Sequence, residues 1–144
     1  MSTTYNALKL EQQLCFPLYA ASREIIKQYH PYLEALDLTY TQYITMLVFW
    51  EHRTISAKEL GKKLFLDSGT LTPVLKSLEA KGLITRRRST EDERVLMTEL
   101  TEKGEALKEK AVGIPEAVSA GLSLTPAQYE ELHKLLYTFL ENFR

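Results

Sequence analysis

Residues 56–101, SAKELGKKLFLDSGTLTPVLKSLEAKGLITRRRSTEDERVLMTELT, admit few folds. Ser56 stands three residues ahead of Glu59, a capping box that predicts a helix from Ala57. Ala57, Leu60 and Leu64 give that helix one apolar stripe, and residues 65–69 break it with a glycine. A second helix follows, with Leu71, Val74, Leu75 and Leu78 at helical spacing. Its start is placed between Ser68 and Thr70. Pro73 then falls in a first turn, where a missing N–H costs nothing. Gly82 closes the helix in the position favoured for a left-handed residue. Two helices joined by so short a turn form a helix-turn-helix. Residues 83–88 and 94–100 then flank a polar turn at 89–93, which predicts a two-stranded ribbon. A helix-turn-helix followed by such a ribbon is a winged helix.

That architecture has a chemistry. The second helix of the pair meets base edges through its N-terminal residues. Here those are Asp67, Ser68, Thr70 and Thr72, with Lys76 one turn on. The ribbon carries Arg86, Arg87, Arg88 and Arg94. An arginine at a wing tip suits a narrow A·T minor groove, where negative potential concentrates. Asp92, two residues before Arg94, reads as a brace for its guanidinium. Arg86 reads as a phosphate contact. The net charge of −1 does not argue for nucleic acid, but its distribution does. Residues 56–88 hold eight Lys/Arg and three acids, whereas residues 102–144 hold five basic and seven acidic residues. Phosphate binding needs a local basic patch, not a basic average.

The rest of the chain reads as helix. Residues 7–36 form one predicted long helix, with Leu14, Leu18, Ile25, Tyr29, Leu33 and Leu36 in period. Pro31 is expected to end or bend it near Tyr29-His30. Pro17 either kinks it after Cys15 or restarts it there. Thr39 with Gln42, and Thr125 with Gln128, are capping boxes that open helices running to about His52 and about Phe143. Thr101 caps a further helix, interrupted at Gly113 and Pro115. The fold class is therefore mainly α with a small β-wing. The 144 residues make one domain, with a winged lobe at 37–101. Residues 7–36 and 102–144 are flanking helices whose apolar excess suits a homodimer. There is no apolar run long enough for a membrane span and no apolar signal core, so a cytoplasmic protein is expected. The one cysteine, Cys15, and three scattered histidines build no metal or cofactor site.

At this point the chain resembles the MarR family of dimeric winged-helix regulators. The wing signature D-x-R-x(5)-L-T stands here as Asp92, Arg94, Leu100 and Thr101. The segment KLEQQLCFPLYAASREIIKQY around Cys15, LTYTQY and FLDSGTLTPVLKSLE are most similar to the one-cysteine, organic-hydroperoxide-sensing repressors of that family. The resemblance implies a double-stranded, pseudo-palindromic DNA operator that is bound while the thiol is reduced and released on oxidation. It implies a thiol hydrogen-bonded by tyrosines, partly from the other subunit. By position these residues are Cys15, Tyr19, Tyr29 and Tyr40. With no second cysteine, oxidised Cys15 needs a low-molecular-weight thiol to form a disulfide.

The residues support part of this independently. Cys15 and Tyr19 lie one turn apart. Tyr29 is about 21 Å farther along a straight helix, close to the same face. Two such helices crossing antiparallel near Ser22, flanked by Ala20 and Ala21, bring Cys15 of one chain to Tyr29 of the other. Two other functions stay open at this stage. One is a regulator of the same kind that answers a small aromatic ligand or another oxidant, with a structural Cys15. The other is a thiol peroxidase, which lacks any recycling cysteine here and is the weaker reading, so no enzyme is expected.

Overall fold

The computed structural model describes residues 3–143. Its helices are α1 (Cys15–Glu34), α2 (Tyr40–His52), α3 (Ala57–Leu64), α4 (Ser68–Ala80), α5 (Glu102–Ala111), α6 (Ile114–Ala120) and α7 (Pro126–Leu140). Three strands, β1 (Thr54–Ser56), β2 (Ile84–Arg88) and β3 (Leu96–Leu100), form one antiparallel sheet in the order β1-β3-β2. The predicted mainly-α winged architecture is the one observed.

Capping sets most helix starts. Thr39 accepts the Gln42 N–H, and Gln42 returns a bond to the Thr39 N–H; Thr125 and Gln128 do the same for α7. At α3 only half of the expected box forms. Ser56 accepts the Glu59 N–H at 3.1 Å, but the Glu59 carboxylate turns to Lys62 instead. After α4, Gly82 takes φ +78°, where a side chain would be strained.

The long N-terminal helix expected over 7–36 is shorter. Residues Thr3–Leu8 and Leu10–Gln12 are 3-10 turns, and the α-helix begins only at Cys15. The Gln13 side-chain amide donates to the carbonyls of Ala7 and Lys9, taking up oxygens that an α ladder would have used. Pro17 is thus the third residue of α1, within the first turn, where its missing N–H has no intrahelical partner to lose. Of the two expectations for Pro17, the restart holds and the kink does not. Pro31 does not end α1, which continues to Glu34. The carbonyl it strands lies on an exposed face, open to solvent. Pro73 also differs from expectation. It is the sixth residue of α4, beyond the first turn, so one backbone bond is lost on the exposed face.

The strand β1 was not foreseen. Three residues are too few to display alternation, and β1 exists because β3 offers it an edge. Ile55 pairs with Thr98, whose hydroxyl donates to the Ile55 carbonyl at 2.6 Å in the interior. The core lies where α2 meets α3, α4 and the sheet, with Met46, Phe49, Leu60 and Leu78 wholly buried. Trp50 Nε1 donates to the Gly104 carbonyl at 2.9 Å and ties α5 to this core. By contrast α7 buries no residue completely, and Leu135, Tyr137 and Phe139 are exposed.

Candidate DNA interface and thiol site

The reading helix of a helix-turn-helix must present its N-terminal end to solvent, and α4 does. Ser68, Thr70 and Thr72 are exposed at its first two turns, with Lys76 exposed one turn on. Asp67 is the N-cap, its carboxylate accepting the Thr70 N–H at 2.8 Å. That backbone bond holds the Asp67 carboxyl below its ordinary range. Sequence reasoning grouped Asp67 with residues expected to face bases; in the structure it is the N-cap that starts α4. Thr72 turns its hydroxyl back to the Ser68 carbonyl at 2.7 Å.

The wing is built in two parts. At its base, β2 and β3 pair throughout their length. At its tip, residues 89–95 close on themselves: Ser89 N–H donates to the Val95 carbonyl at 2.8 Å, and Val95 N–H to the Asp92 carbonyl at 2.9 Å. The Ser89 hydroxyl accepts the N–H groups of Glu91 and Asp92. Asp92 grips Arg94 as expected. Its two oxygens take Arg94 Nε at 3.1 Å and Nη2 at 3.3 Å, and Oδ1 also accepts the Arg94 N–H. The Arg94 side chain is 91% exposed, so the guanidinium is held in direction yet open to a partner. The guanidinium bond lowers the Asp92 carboxyl in turn.

Arg86 is placed differently from a free phosphate contact. It is half-buried and forked onto Glu79 of α4, Nη2 to Oε1 at 2.9 Å and Nε to the same oxygen at 3.3 Å. Glu79 Oε2 accepts the Arg86 backbone N–H, so the pair fastens β2 to the reading helix. Arg86 lowers the Glu79 carboxyl. An open cleft of about 1140 Å³ lies between α3, α4 and the wing, with Lys58, Lys62, Thr72, Arg86 and Arg94 on its walls.

The thiol site is assembled only in part by one chain. Cys15 is exposed at the start of α1. The Tyr19 ring, one turn on, lies 5.3 Å below the Arg23 guanidinium and is itself exposed. Tyr29 and Tyr40 do meet: their rings are 5.2 Å apart, tilted by 59°. They form a group with Tyr43, which sequence reasoning missed, at 5.5 Å from Tyr29 and 6.3 Å from Tyr40. Burial pushes all three phenols up; the charge of Tyr40 adds to the rise of Tyr29, and the charges of Tyr29 and Tyr40 add to that of Tyr43, which reaches about 12. At neutral pH they are therefore neutral O–H donors. Tyr129 and Tyr137 of α7 also raise Tyr29 and Tyr40 respectively, and His133 stands between those two rings, 4.8 Å from Tyr137. Tyr129, His133 and Tyr137 recur every four residues along α7, but no local signal links them to Tyr29 and Tyr40.

The chain matches the family model described as transcriptional regulator SarA/Rot over residues 27–111. It is 51% identical over 98% of its length to the organic hydroperoxide resistance transcriptional regulator of Bacillus subtilis, covering 96% of that protein. Among solved structures, it resembles reduced AbfR bound to DNA, at 33% identity and TM-score 0.79, covering 96% of this chain and 94% of that one. Against the disulfide form of AbfR the TM-score is 0.60 at 35% identity, covering 96% of this chain and 91% of that one.

Proposed function

The chain belongs to the winged-helix transcriptional regulators of the MarR and SarA/Rot type, and from that premise we propose that it is a DNA-binding repressor that senses organic hydroperoxides through Cys15. The observation that carries this reading is the place of the thiol. The sole cysteine stands exposed at the head of α1 among further exposed apolar groups, Leu14, Phe16 and Tyr19. A face of that kind suits a second copy of the chain. The Tyr29–Tyr40 pair lies at the other end of α1, so antiparallel crossing of two copies brings neutral phenol donors to the partner's thiol. The flanking segments 7–36 and 102–144, which carry α1 and α7, are then the dimer elements, and the lobe at 37–101 carries the DNA contacts. The likeness to a relative solved reduced on DNA supports the same reading.

The chemistry is a two-electron transfer. The Cys15 sulfur attacks the terminal peroxide oxygen, the O–O bond breaks, and the alcohol leaves with the proton. Cys15 becomes a sulfenic acid. A small thiol then attacks that sulfur, forming a mixed disulfide and releasing water. The adduct adds bulk between the two α1 helices and changes the spacing of the two reading helices. DNA contacts fall to Ser68, Thr70, Thr72 and Lys76 at the major groove, positioned by Asp67. Arg94, braced by Asp92, enters the flanking minor groove. Arg86, clamped on Glu79, sets the wing against the reading helix. The operator is pseudo-palindromic, with half-sites centred about 10 bp apart. The protein works in the cytoplasm, where DNA and small thiols both occur.

Titrating the protein–DNA complex with cumene hydroperoxide in the presence of cysteine tests this. Wild type should release DNA as Cys15 is modified, and Cys15→Ser should not. Release from Cys15→Ser at the wild-type dose overturns the assignment.

A further inference from the structure

One buried amide joins the tyrosine group to the reading helix. Gln42, the third residue of α2, is 7% exposed. Its Oε1 accepts the Thr39 N–H at 3.0 Å and a Lys81 Nζ proton at 3.1 Å. Its Nε2 donates to Ser77 Oγ of α4 at 2.7 Å. Lys81, the C-cap of α4, also donates to the Asp37 carbonyl and pairs with the Asp37 carboxylate at 3.6 Å. The backbone carbonyl of Lys81 is taken by Lys103 of α5 at 2.8 Å.

The capping box of α2 needs only Thr39 and Gln42. The bonds to Ser77 and Lys81 are additional, and both go to the last turn of the helix that reads DNA. Residues 40–43 of α2 thus face two ways. Tyr40 and Tyr43 turn their rings to Tyr29 of α1, while Gln42 between them turns its amide to α4. These residues share one helical turn and move together. The apolar contacts between α2 and α4 are non-directional and tolerate sliding. A hydrogen bond has a preferred length and angle, so the Ser77 bond fixes one register.

We propose that Gln42, acting with Ser77 and Lys81, is the positioning residue that ties the Tyr29–Tyr40 pair to α4, so that a rearrangement of those tyrosines reorients the reading helix. This rests on the reading of Cys15 as the redox sensor. Coupling between distant sites requires a shared element with two arrangements that both sites bias. Here that element is the first turn of α2.

Ser77→Ala tests it in the full-length dimer, because it removes the acceptor of Gln42 Nε2 and leaves the capping box intact. The measurements are Cys15 modification by intact mass after cumene hydroperoxide and cysteine, and the dissociation constant of a duplex selected on the reduced protein, before and after modification. Ser77→Ala should be modified like wild type, while the ratio of oxidised to reduced dissociation constants falls by at least about fivefold, the scale of one net hydrogen bond. Ser77→Thr should restore the ratio, and Lys81→Met should shift it in the same direction as Ser77→Ala. Two dissociation constants that move together, leaving the ratio at its wild-type value in both Ser77→Ala and Lys81→Met, reduce the network to a packing role and overturn the proposal. A wild type that keeps its DNA after Cys15 is modified refutes the sensor reading instead, and the coupling falls with it.

Discussion

Replacing Arg94 by alanine separates what the wing does for the fold from what it does on DNA. The Arg94 side chain is 91% exposed and touches Asp92 alone among its ion-pair partners in the described residues. An exposed pair of this kind contributes little to stability. Thermal and urea midpoints of Arg94→Ala should therefore match wild type. A guanidinium that enters a groove is worth about 1–3 kcal/mol per contact. A dimer has two wings, and with their effects taken as additive the loss is roughly 2–6 kcal/mol per duplex. At about 1.4 kcal/mol per tenfold, this weakens binding by roughly 30-fold to 10⁴-fold. Fluorescence anisotropy should be run on duplexes with identical half-sites and either A·T-rich or G·C-rich flanks. The loss should be greatest on A·T flanks, whose narrow minor groove attracts the cation most. Asp92→Ala should cost part of the same affinity in wild type and nothing further in Arg94→Ala, since a brace has no value without the group it braces. Equal losses on both flanks, with the salt slope reduced by about one per half-site, mean that Arg94 meets only phosphate. Unchanged affinity removes the wing tip from recognition altogether.

Three further perturbations follow. Tyr29→Phe should slow the loss of DNA on peroxide addition, read by stopped-flow anisotropy, while leaving the affinity of the reduced protein nearly unchanged; an equal change in both argues for a packing role. Gly104→Ala places a methyl group 2.6 Å from Leu100 Cδ1 and hard against the Leu83 carbonyl. Overpacking of about 1–3 kcal/mol should outweigh alanine's helix advantage of about 1 kcal/mol, lowering the urea midpoint. The raised phenols of Tyr29, Tyr40 and Tyr43 keep their protons in the folded chain after the unfolded chain has lost its own near pH 10. Stability should therefore be intact below about pH 10 and fall as pH rises through the folded value near 12 of Tyr43, tracked by urea midpoints against phenolate absorbance.

Local signals in the sequence reach as far as local physics does. Thr39 with Gln42, Thr125 with Gln128, Gly82 and the Leu71–Leu75–Leu78 stripe each encode their own element, and all appear in place. Failures occur where a partner elsewhere in the chain decides. Strand β1 depends on β3, and the shortened α1 on Gln13 reaching back for two carbonyls. The site follows the same division. Asp92 and Arg94, two residues apart, were legible as a pair. Arg86 was not, because Glu79 lies on another element and reaches it only after folding. Tyr43 lies 14 residues from Tyr29, Gln42 lies 35 from Ser77, and Tyr129 and Tyr137 lie 100 and 97 from Tyr29 and Tyr40, so no local pattern joins these partners. Cys15 is the extreme case, since its proposed donors belong to a second chain.

The closed wing tip has a thermodynamic consequence. A flexible loop that orders on DNA forfeits backbone freedom worth roughly 1–2 kcal/mol per residue. Residues 89–95 are already cross-tied by the Ser89 hydroxyl and the two backbone bonds around Val95, and Asp92 holds the arginine in one direction. Docking this tip therefore surrenders little chain entropy, and nearly all of the attraction between Arg94 and the groove is retained as affinity. The same stiffness makes the tip a poor adapter: a groove of the wrong width cannot be met by a change in loop shape, and the mismatch appears directly as discrimination between operators.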